Sequence, residues 1–224
     1  MIHPEVGRVR ANLERVRDKL ARAAARAGRD PAAVEIVAAT KYIACEDIPV
    51  LAAAGLRVAG ENRAQDLVRK ATAHGDLVAW DFIGQLQSRR VASILPFVRR
   101  IHSLASASAA DALSRALESP GGGGAREDLA VLIQVNVAGE AGKAGIAPDE
   151  LAGLIARVGA PVSGLMTMPP AVAEAERSRT WFRALRELAH EHGLRELSMG
   201  TSQDYAVAIE EGATCVRIGS ALYL

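Results

Sequence analysis

The sequence predicts an α/β fold, a (β/α)8 barrel preceded by one extra helix, on three observations. Short apolar, β-branched segments alternate with helical stretches from end to end; eight such units fit within 224 residues; and the turn after the first strand holds no glycine. Strands alternating with helices imply βαβ units and a parallel sheet. An open doubly wound sheet is the competing arrangement. It usually carries a glycine-rich phosphate loop after its first strand, and Ala38-Ala39-Thr40-Lys41 has none. Eight units in this length match the compact end of the barrel range, so one domain is expected over 1–224.

The elements follow in order. Val6, Val9, Leu13, Val16 and Leu20 recur at spacings of three and four and predict a helix over 4–28, with Gly28 as its stop. Strands are expected at 34–39, 57–59, 78–83, 100–103, 129–137, 161–166, 194–198 and 213–218. Helices are expected between them at 46–54, 63–73, 87–95, 108–118, 148–158, 171–192 and 203–211, with a last short one from about Gly219. Pro120 and Gly121 to Gly124 read as a flexible loop tip, because the same alternation resumes on both sides.

Composition narrows the function. Half of the residues are apolar and 24% charged, which is globular composition. Basic and acidic residues number 27 and 26, so no basic excess exists to hold nucleic acid or an anionic membrane. Three Phe, two Trp and three Tyr are too few for a base-stacking platform. Cys45 and Cys215 make neither a disulfide framework nor a metal-ligand spacing. The charged, amphipathic N-terminus is unlike a signal peptide, and no apolar run approaches the roughly 20 residues of a membrane span. A cytoplasmic protein without a metal site is expected.

In such a barrel the active site lies at the C-terminal ends of the strands, and phosphate is commonly held by the loops after strands 7 and 8. Those loops are Ser198-Met199-Gly200-Thr201-Ser202 and Arg217-Ile218-Gly219-Ser220. They offer hydroxyls, glycines that let backbone N–H groups approach, and a following helix N-terminus. Ordinary turn and N-cap use of Ser and Gly is the plainer reading of either loop alone.

Only four of the 27 basic residues are lysines: Lys19, Lys41, Lys70 and Lys143. Lys41 directly follows strand 1, where a partly desolvated barrel mouth favours its neutral, nucleophilic amine. A surface lysine at a strand end is the alternative. A nucleophilic amine and a phosphate cradle on one rim together suit a phosphorylated aldehyde held as a Schiff base, and pyridoxal 5′-phosphate (PLP) is the obvious one. Among other candidates, His102 and His74 read as structural and Glu61 as a helix-start carboxylate. Asn136 points either into the site or into a turn. Arg217 serves either a ligand or a carboxylate.

Several segments carry a resemblance. Val37-Ala38-Ala39-Thr40-Lys41, Gly60-Glu61-Asn62, Phe82-Ile83-Gly84-Gln85-Leu86-Gln87-Ser88 and Gln134-Val135-Asn136-Val137 with Glu140, Lys143 and Gly145 resemble the pyridoxal phosphate homeostasis protein family. So do Gly164-Leu165-Met166, Leu197-Ser198-Met199-Gly200-Thr201-Ser202 and Val216-Arg217-Ile218-Gly219-Ser220. The resemblance implies a barrel of the alanine racemase N-terminal type with PLP bound to Lys41. It implies that Ser198, Gly200, Ser202, Gly219 and Ser220 hold the phosphate. It places Arg217 toward the pyridine nitrogen and Asn62 beside the ring. The chain departs from the family at Tyr42-Ile43-Ala44, where a second lysine and a proline are usual, and at Ser103-Leu104-Ala105-Ser106, which lacks an acidic residue often found there.

Racemases of this barrel type add a C-terminal β-domain, and strand 8 closes just before Leu224. Tyr42 and Tyr205 sit near site loops without an evident base role. An arginine at the ring nitrogen would also weaken PLP as an electron sink. The expectation is therefore a monomeric PLP carrier serving PLP, amino-acid and keto-acid homeostasis, with no catalytic residue and with PLP-dependent apoenzymes as possible recipients. A weak PLP-dependent racemase or decarboxylase is one alternative. A PLP-independent barrel enzyme acting on a phosphorylated metabolite is the other.

Overall fold

The eight apolar segments pair in chain order into a closed parallel barrel. A computed structural model describes residues 2–125 and 127–224. The strands are β1 (Glu35–Ala39), β2 (Val58–Glu61), β3 (Ala79–Phe82), β4 (Val98–Leu104), β5 (Ala130–Gln134), β6 (Val162–Met166), β7 (Glu196–Thr201) and β8 (Cys215–Ile218). The helices are α1 (Val6–Arg26), α2 (Ile48–Ala53), α3 (Ala64–His74), α4 (Val91–Ile94), α5 (Ala107–Glu118), α6 (Leu151–Arg157), α7 (Arg179–Glu191), α8 (Tyr205–Glu210) and α9 (Ser220–Tyr223). β8 pairs with β1 from Glu35↔Cys215 to Ala38↔Ile218, which closes the sheet and leaves no edge to protect.

Each strand is covered on both faces, and alternation sorts its side chains. Ala38 of β1 and Val216 and Ile218 of β8 face the helices as part of the main core. Val37, Val58, Ile83 and Cys215 form a separate small apolar cluster inside the barrel. Polar residues fill the rest of the interior: Asp81, His102, Ser198 and Arg217 are all buried. The extra helix α1 buries Val9, Leu13, Val16, Leu20, Ala23 and Ala24 along one stripe. It packs on α8 and α9, and Asn12 Nδ2 donates to the carbonyls of Leu222 (2.9 Å) and Leu224 (3.2 Å), tying the first helix to the last.

Some boundaries differ from the sequence expectation. The helix expected from 171 begins at Arg179, after a 3-10 turn at Ala175–Ser178. β5 ends at Gln134, and beyond it Val135 makes an isolated bridge to Ile146. β2 and β7 run on to Glu61 and Thr201, because their ends lean on neighbouring strands that a single-segment pattern does not contain. Pro120–Gly124, expected as a flexible tip, forms a 3-10 turn. Among the described residues, no helix is long and apolar enough to cross a membrane.

Candidate functional site

A cavity of about 560 Å³ opens at the C-terminal ends of the strands. Lys41, Asn62, Ser202, Arg217, Gly219 and Ser220 all line it, so six of the eight residues singled out in the sequence converge from β1, β2, β7 and β8. Ile83, Gly84, Gln85, Gln134, Met166 and Tyr223 are among the other lining residues. The apolar members sit beside a few convergent polar groups, the usual make-up of a small-molecule site.

Lys41 stands at the rim. It is exposed, in the turn after β1, with Nζ 4.7 Å from the centroid of the Tyr42 ring. The desolvation expected there is not found, because the chain leaves the barrel at Thr40 and turns outward. The turn itself is firmly held. Thr40 Oγ1 donates to Glu61 Oε1 (2.9 Å), and the Lys70 ammonium donates both to the Thr40 carbonyl (2.9 Å) and to the Glu61 carboxylate. Glu61 Oε2 also accepts from the Asn62 amide at 3.0 Å. Glu61 is therefore a fully buried residue at the end of β2, not the helix-start carboxylate expected. Its partner Lys70 gave no signal in the sequence, because α3 brings it back over the β2 end only in three dimensions.

Asn62 rests on a close backbone approach. A Cβ on Gly84 would fall 1.8 Å from the Asn62 carbonyl oxygen, so only glycine lets the loops after β2 and β3 meet. Asn62 Oδ1 is buried without a partner, as is the Tyr223 hydroxyl, and both residues line the cavity. Burial, with Glu61 nearby, pushes the Tyr223 phenol above its ordinary pKa. Sequence reading overlooked Tyr223, which carries no motif, and placed Tyr42 and Tyr205 near site loops. Tyr42 lines the cavity; Tyr205 packs in the core, with Lys19 Nζ 5.0 Å from its ring centroid, and does not.

The two expected phosphate loops divide. Ser202, Gly219 and Ser220 line the cavity, and Ser202 Oγ accepts from the amides of Gly219 (3.1 Å) and Ala221 (3.2 Å). α9 is a single turn, so its dipole adds little, and any cradle here rests on individual N–H and O–H groups. Ser198 and Gly200 do not reach the cavity. Ser198 is fully buried, with its Oγ 2.6 Å from Arg217 Nη1 and 2.7 Å from His102 Nδ1. Gly200 has φ +91°, and a Cβ there would fall 2.6 Å from Ala208 Cβ and 2.9 Å from Tyr205 Cα, so it serves the packing of α8.

Arg217 is the buried cation of the site. Its Nη2 donates to the Thr167 carbonyl at 2.9 Å, and burial lowers its pKa from the ordinary value. A guanidinium remains charged nonetheless. Among the described residues no carboxylate lies within ion-pair distance of it, so the carboxylate reading is not met, and Arg217 lines the cavity. Asn136 is a turn residue, exchanging hydrogen bonds with the Glu140 backbone at 2.9 and 3.3 Å. Cys215 faces the barrel interior, and burial pushes its thiol up to about 12, as expected of a packed rather than a reactive cysteine.

A closed parallel barrel with a lysine after its first strand and an arginine in its last defines a class, and the comparisons agree with it. The family described as alanine racemase, N-terminal domain matches residues 8–224. The chain is 40% identical to the pyridoxal phosphate homeostasis protein of Aquifex aeolicus, over 94% of this chain and 95% of that one. A solved structure from Bifidobacterium adolescentis is similar at TM-score 0.86 and 30% identity, over 97% of this chain and 95% of that one. PipY of Synechococcus elongatus, solved with PLP bound, is similar at TM-score 0.78 and 28% identity, over 96% and 100%. The chain belongs to the pyridoxal phosphate homeostasis protein family, within the alanine racemase N-terminal group.

Proposed function

We propose that this chain binds PLP in the cavity at the barrel mouth and serves PLP, amino-acid and keto-acid homeostasis without robust turnover of its own. The carrying observation is that one cavity of about 560 Å³ gathers Lys41, Arg217, Ser202, Gly219 and Ser220 around two buried polar atoms without partners, Asn62 Oδ1 and Tyr223 Oη. Buried polar atoms left unpaired cost about 1–3 kcal/mol each, which is offset when a ligand supplies the partner. A phosphorylated pyridine aldehyde has the matching groups: ring acceptor, phenolic oxygen, phosphate and carbonyl carbon.

Lys41 would hold the aldehyde carbon as a Schiff base, with water leaving. Its exposed position at the rim suits exchange with an outside amine, and so delivery to another protein, better than a sealed site would. Ser202 and Ser220 would supply hydroxyls and the Gly219 loop close backbone approach for the phosphate. Arg217 would donate to the ring nitrogen. Bound PLP supplies an electron sink, and a guanidinium there keeps the nitrogen unprotonated and that sink weak. Tyr223, with its phenol pushed upward, is poorly matched to proton abstraction near neutral pH. The reading is therefore of a carrier with no catalytic residue.

The test is the absorbance of the purified protein with added PLP, before and after borohydride, for wild type and Lys41→Ala. A yellow band trapped as a covalent adduct on the Lys41 peptide, and lost in the variant, is the expected result. A band that survives the substitution, or none at all, removes the reading. Incubation with amino acids in deuterated water then separates carrier from enzyme: Lys41-dependent α-proton exchange on the scale of turnover would overturn the carrier assignment.

A further inference from the structure

Four interior side chains on four strands form a single line from the middle of the barrel to the cavity. Arg217 Nη1 lies 2.6 Å from Ser198 Oγ, Ser198 Oγ 2.7 Å from His102 Nδ1, and His102 Nε2 2.9 Å from Asp81 Oδ2. All four residues are buried, so bulk water does not compete for these links.

Chemistry assigns every proton along the line. A guanidinium only donates, so Ser198 Oγ accepts from Arg217. An ionised carboxylate only accepts, and Asp81 already takes Arg99 Nε on its other oxygen at 2.9 Å. The proton therefore sits on His102 Nε2, which donates to Asp81. The Ser198 hydroxyl proton goes to the remaining neighbour, His102 Nδ1, which is bare in the neutral ring that burial favours. His102 is thus a neutral ring in one tautomer. Burial is the largest influence on it and, with the charges of Arg217 from β8 and Arg100 on its own strand, outweighs the raising effect of Asp81 from β3, which leaves its pKa below the ordinary value.

This line does something that the cavity wall alone does not. Arg217 has no carboxylate within ion-pair distance among the described residues, and its two recorded anchors are the Thr167 carbonyl and the Ser198 hydroxyl. Ser198 accepts from Arg217 in any case; because His102 Nδ1 takes the hydroxyl's own proton, the hydroxyl does not rotate and its lone pair stays aimed at Arg217. We propose that His102 is a positioning residue for Arg217: through Ser198 it locks the guanidinium in one orientation toward the cavity, where it selects a ligand whose facing ring atom is a bare acceptor. For its ligand arm this inference rests on the PLP reading above.

Three measurements on the full chain test it. The first is ¹⁵N NMR of histidine-labelled protein, with the His102 signal identified by its loss in His102→Leu. A neutral ring protonated on Nε2 at pH 7 is expected; an imidazolium or an Nδ1–H tautomer overturns the proton assignment and the proposal with it. The second follows the Arg217 guanidinium signals, identified by Arg217→Lys. Distinct, slowly averaging Nη resonances are expected in wild type. They should merge in His102→Leu and in Ser198→Ala, and stay distinct in His102→Asn, which keeps an acceptor toward Ser198. Ser198→Ala leaves the His102–Asp81 pair in place, so it decides the matter if His102→Leu fails to fold. Unaltered Arg217 signals in Ser198→Ala overturn the proposal, whether or not PLP binds.

The third compares PLP with its N-methylated pyridinium analogue. Wild type should prefer PLP by at least about tenfold, the weight of one charge-assisted hydrogen bond. That preference should shrink in Ser198→Ala, and an equal preference in both proteins overturns the proposal. If PLP itself does not bind wild type, the cofactor reading fails, and the first two measurements still decide the role of His102.

Discussion

The site's chemistry is concentrated in side chains with incomplete partners. Tyr223 is nine-tenths buried or more and its hydroxyl bonds nothing, so the phenol is held at a cost that a ligand relieves. Tyr223→Phe removes that cost. The unliganded protein should gain about 1 kcal/mol, or about 2–4 °C in Tm, while PLP is held less tightly. Thermal unfolding with and without PLP reads both effects, and a destabilised variant with unchanged PLP binding would contradict the role. At this scale the sequence was partly legible. Lys41 stood out as one of four lysines, set directly after an apolar strand, and Arg217 by its place on the last strand, though each kept a structural alternative in the sequence. Ser198 did not separate from Ser202, since both belong to one motif; Ser198 is buried inside β7, whereas Ser202 lies just past the end of that strand, at the cavity.

Elements position these residues through backbone contacts that tolerate no added atom. The loops after β2 and β3 touch at Gly84 and Asn62, with no space for a Cβ between them. Gly84→Ala should cost about 1–3 kcal/mol through forced displacement and move Asn62 from the cavity wall. Denaturant unfolding together with PLP titration checks this, and wild-type values for both would show that the loops yield freely. The Thr40–Lys41 turn depends likewise on Glu61 and Lys70, a buried pair from β2 and α3. Most helices and strands were readable from periodicity, but the ends of β2, β7 and α7 were not. Strand ends are set by hydrogen bonds to neighbours remote in sequence, and α7 starts only after a 3-10 turn that a hydrophobic count does not separate from it.

Across the whole molecule, the barrel interior balances its charges. Arg99 and Arg100 engage Glu35, Asp81 and Glu196 toward the N-terminal ends of the strands, while Arg217, toward the mouth, has no carboxylate within ion-pair distance among the described residues. Acid should unsettle this arrangement in two steps. His102 has a folded pKa below its ordinary 6.5, so the unfolded chain binds its proton first. Its contribution is fully present above about pH 6.5 and is lost as pH falls toward the folded value, by up to about 1.4 kcal/mol per pH unit. Asp81 is held below its ordinary 3.8: burial alone would raise it, and the His102 hydrogen bond with the charges of His102, Arg99 and Arg100 outweighs that. Its contribution is present above the ordinary value and disappears only as pH falls through the depressed one. Unfolding free energies from pH 7.5 to 5 should therefore decline in wild type more steeply than in His102→Leu. Parallel slopes would refute the neutral buried ring.

By itself the sequence determined the alternation of strands and helices, the closed barrel that eight units imply, the family, and the rim on which the chemistry gathers. These are matters of period, count and motif, which a linear chain carries in full. The tertiary structure alone decided which motif residues face the cavity, which buried polar atoms lack partners, and how Asp81, His102, Ser198 and Arg217 line up. Those four come from β3, β4, β7 and β8, and the first and last lie 136 positions apart along the chain. Their alignment follows from barrel closure and side-chain alternation, neither of which exists until the sheet is formed.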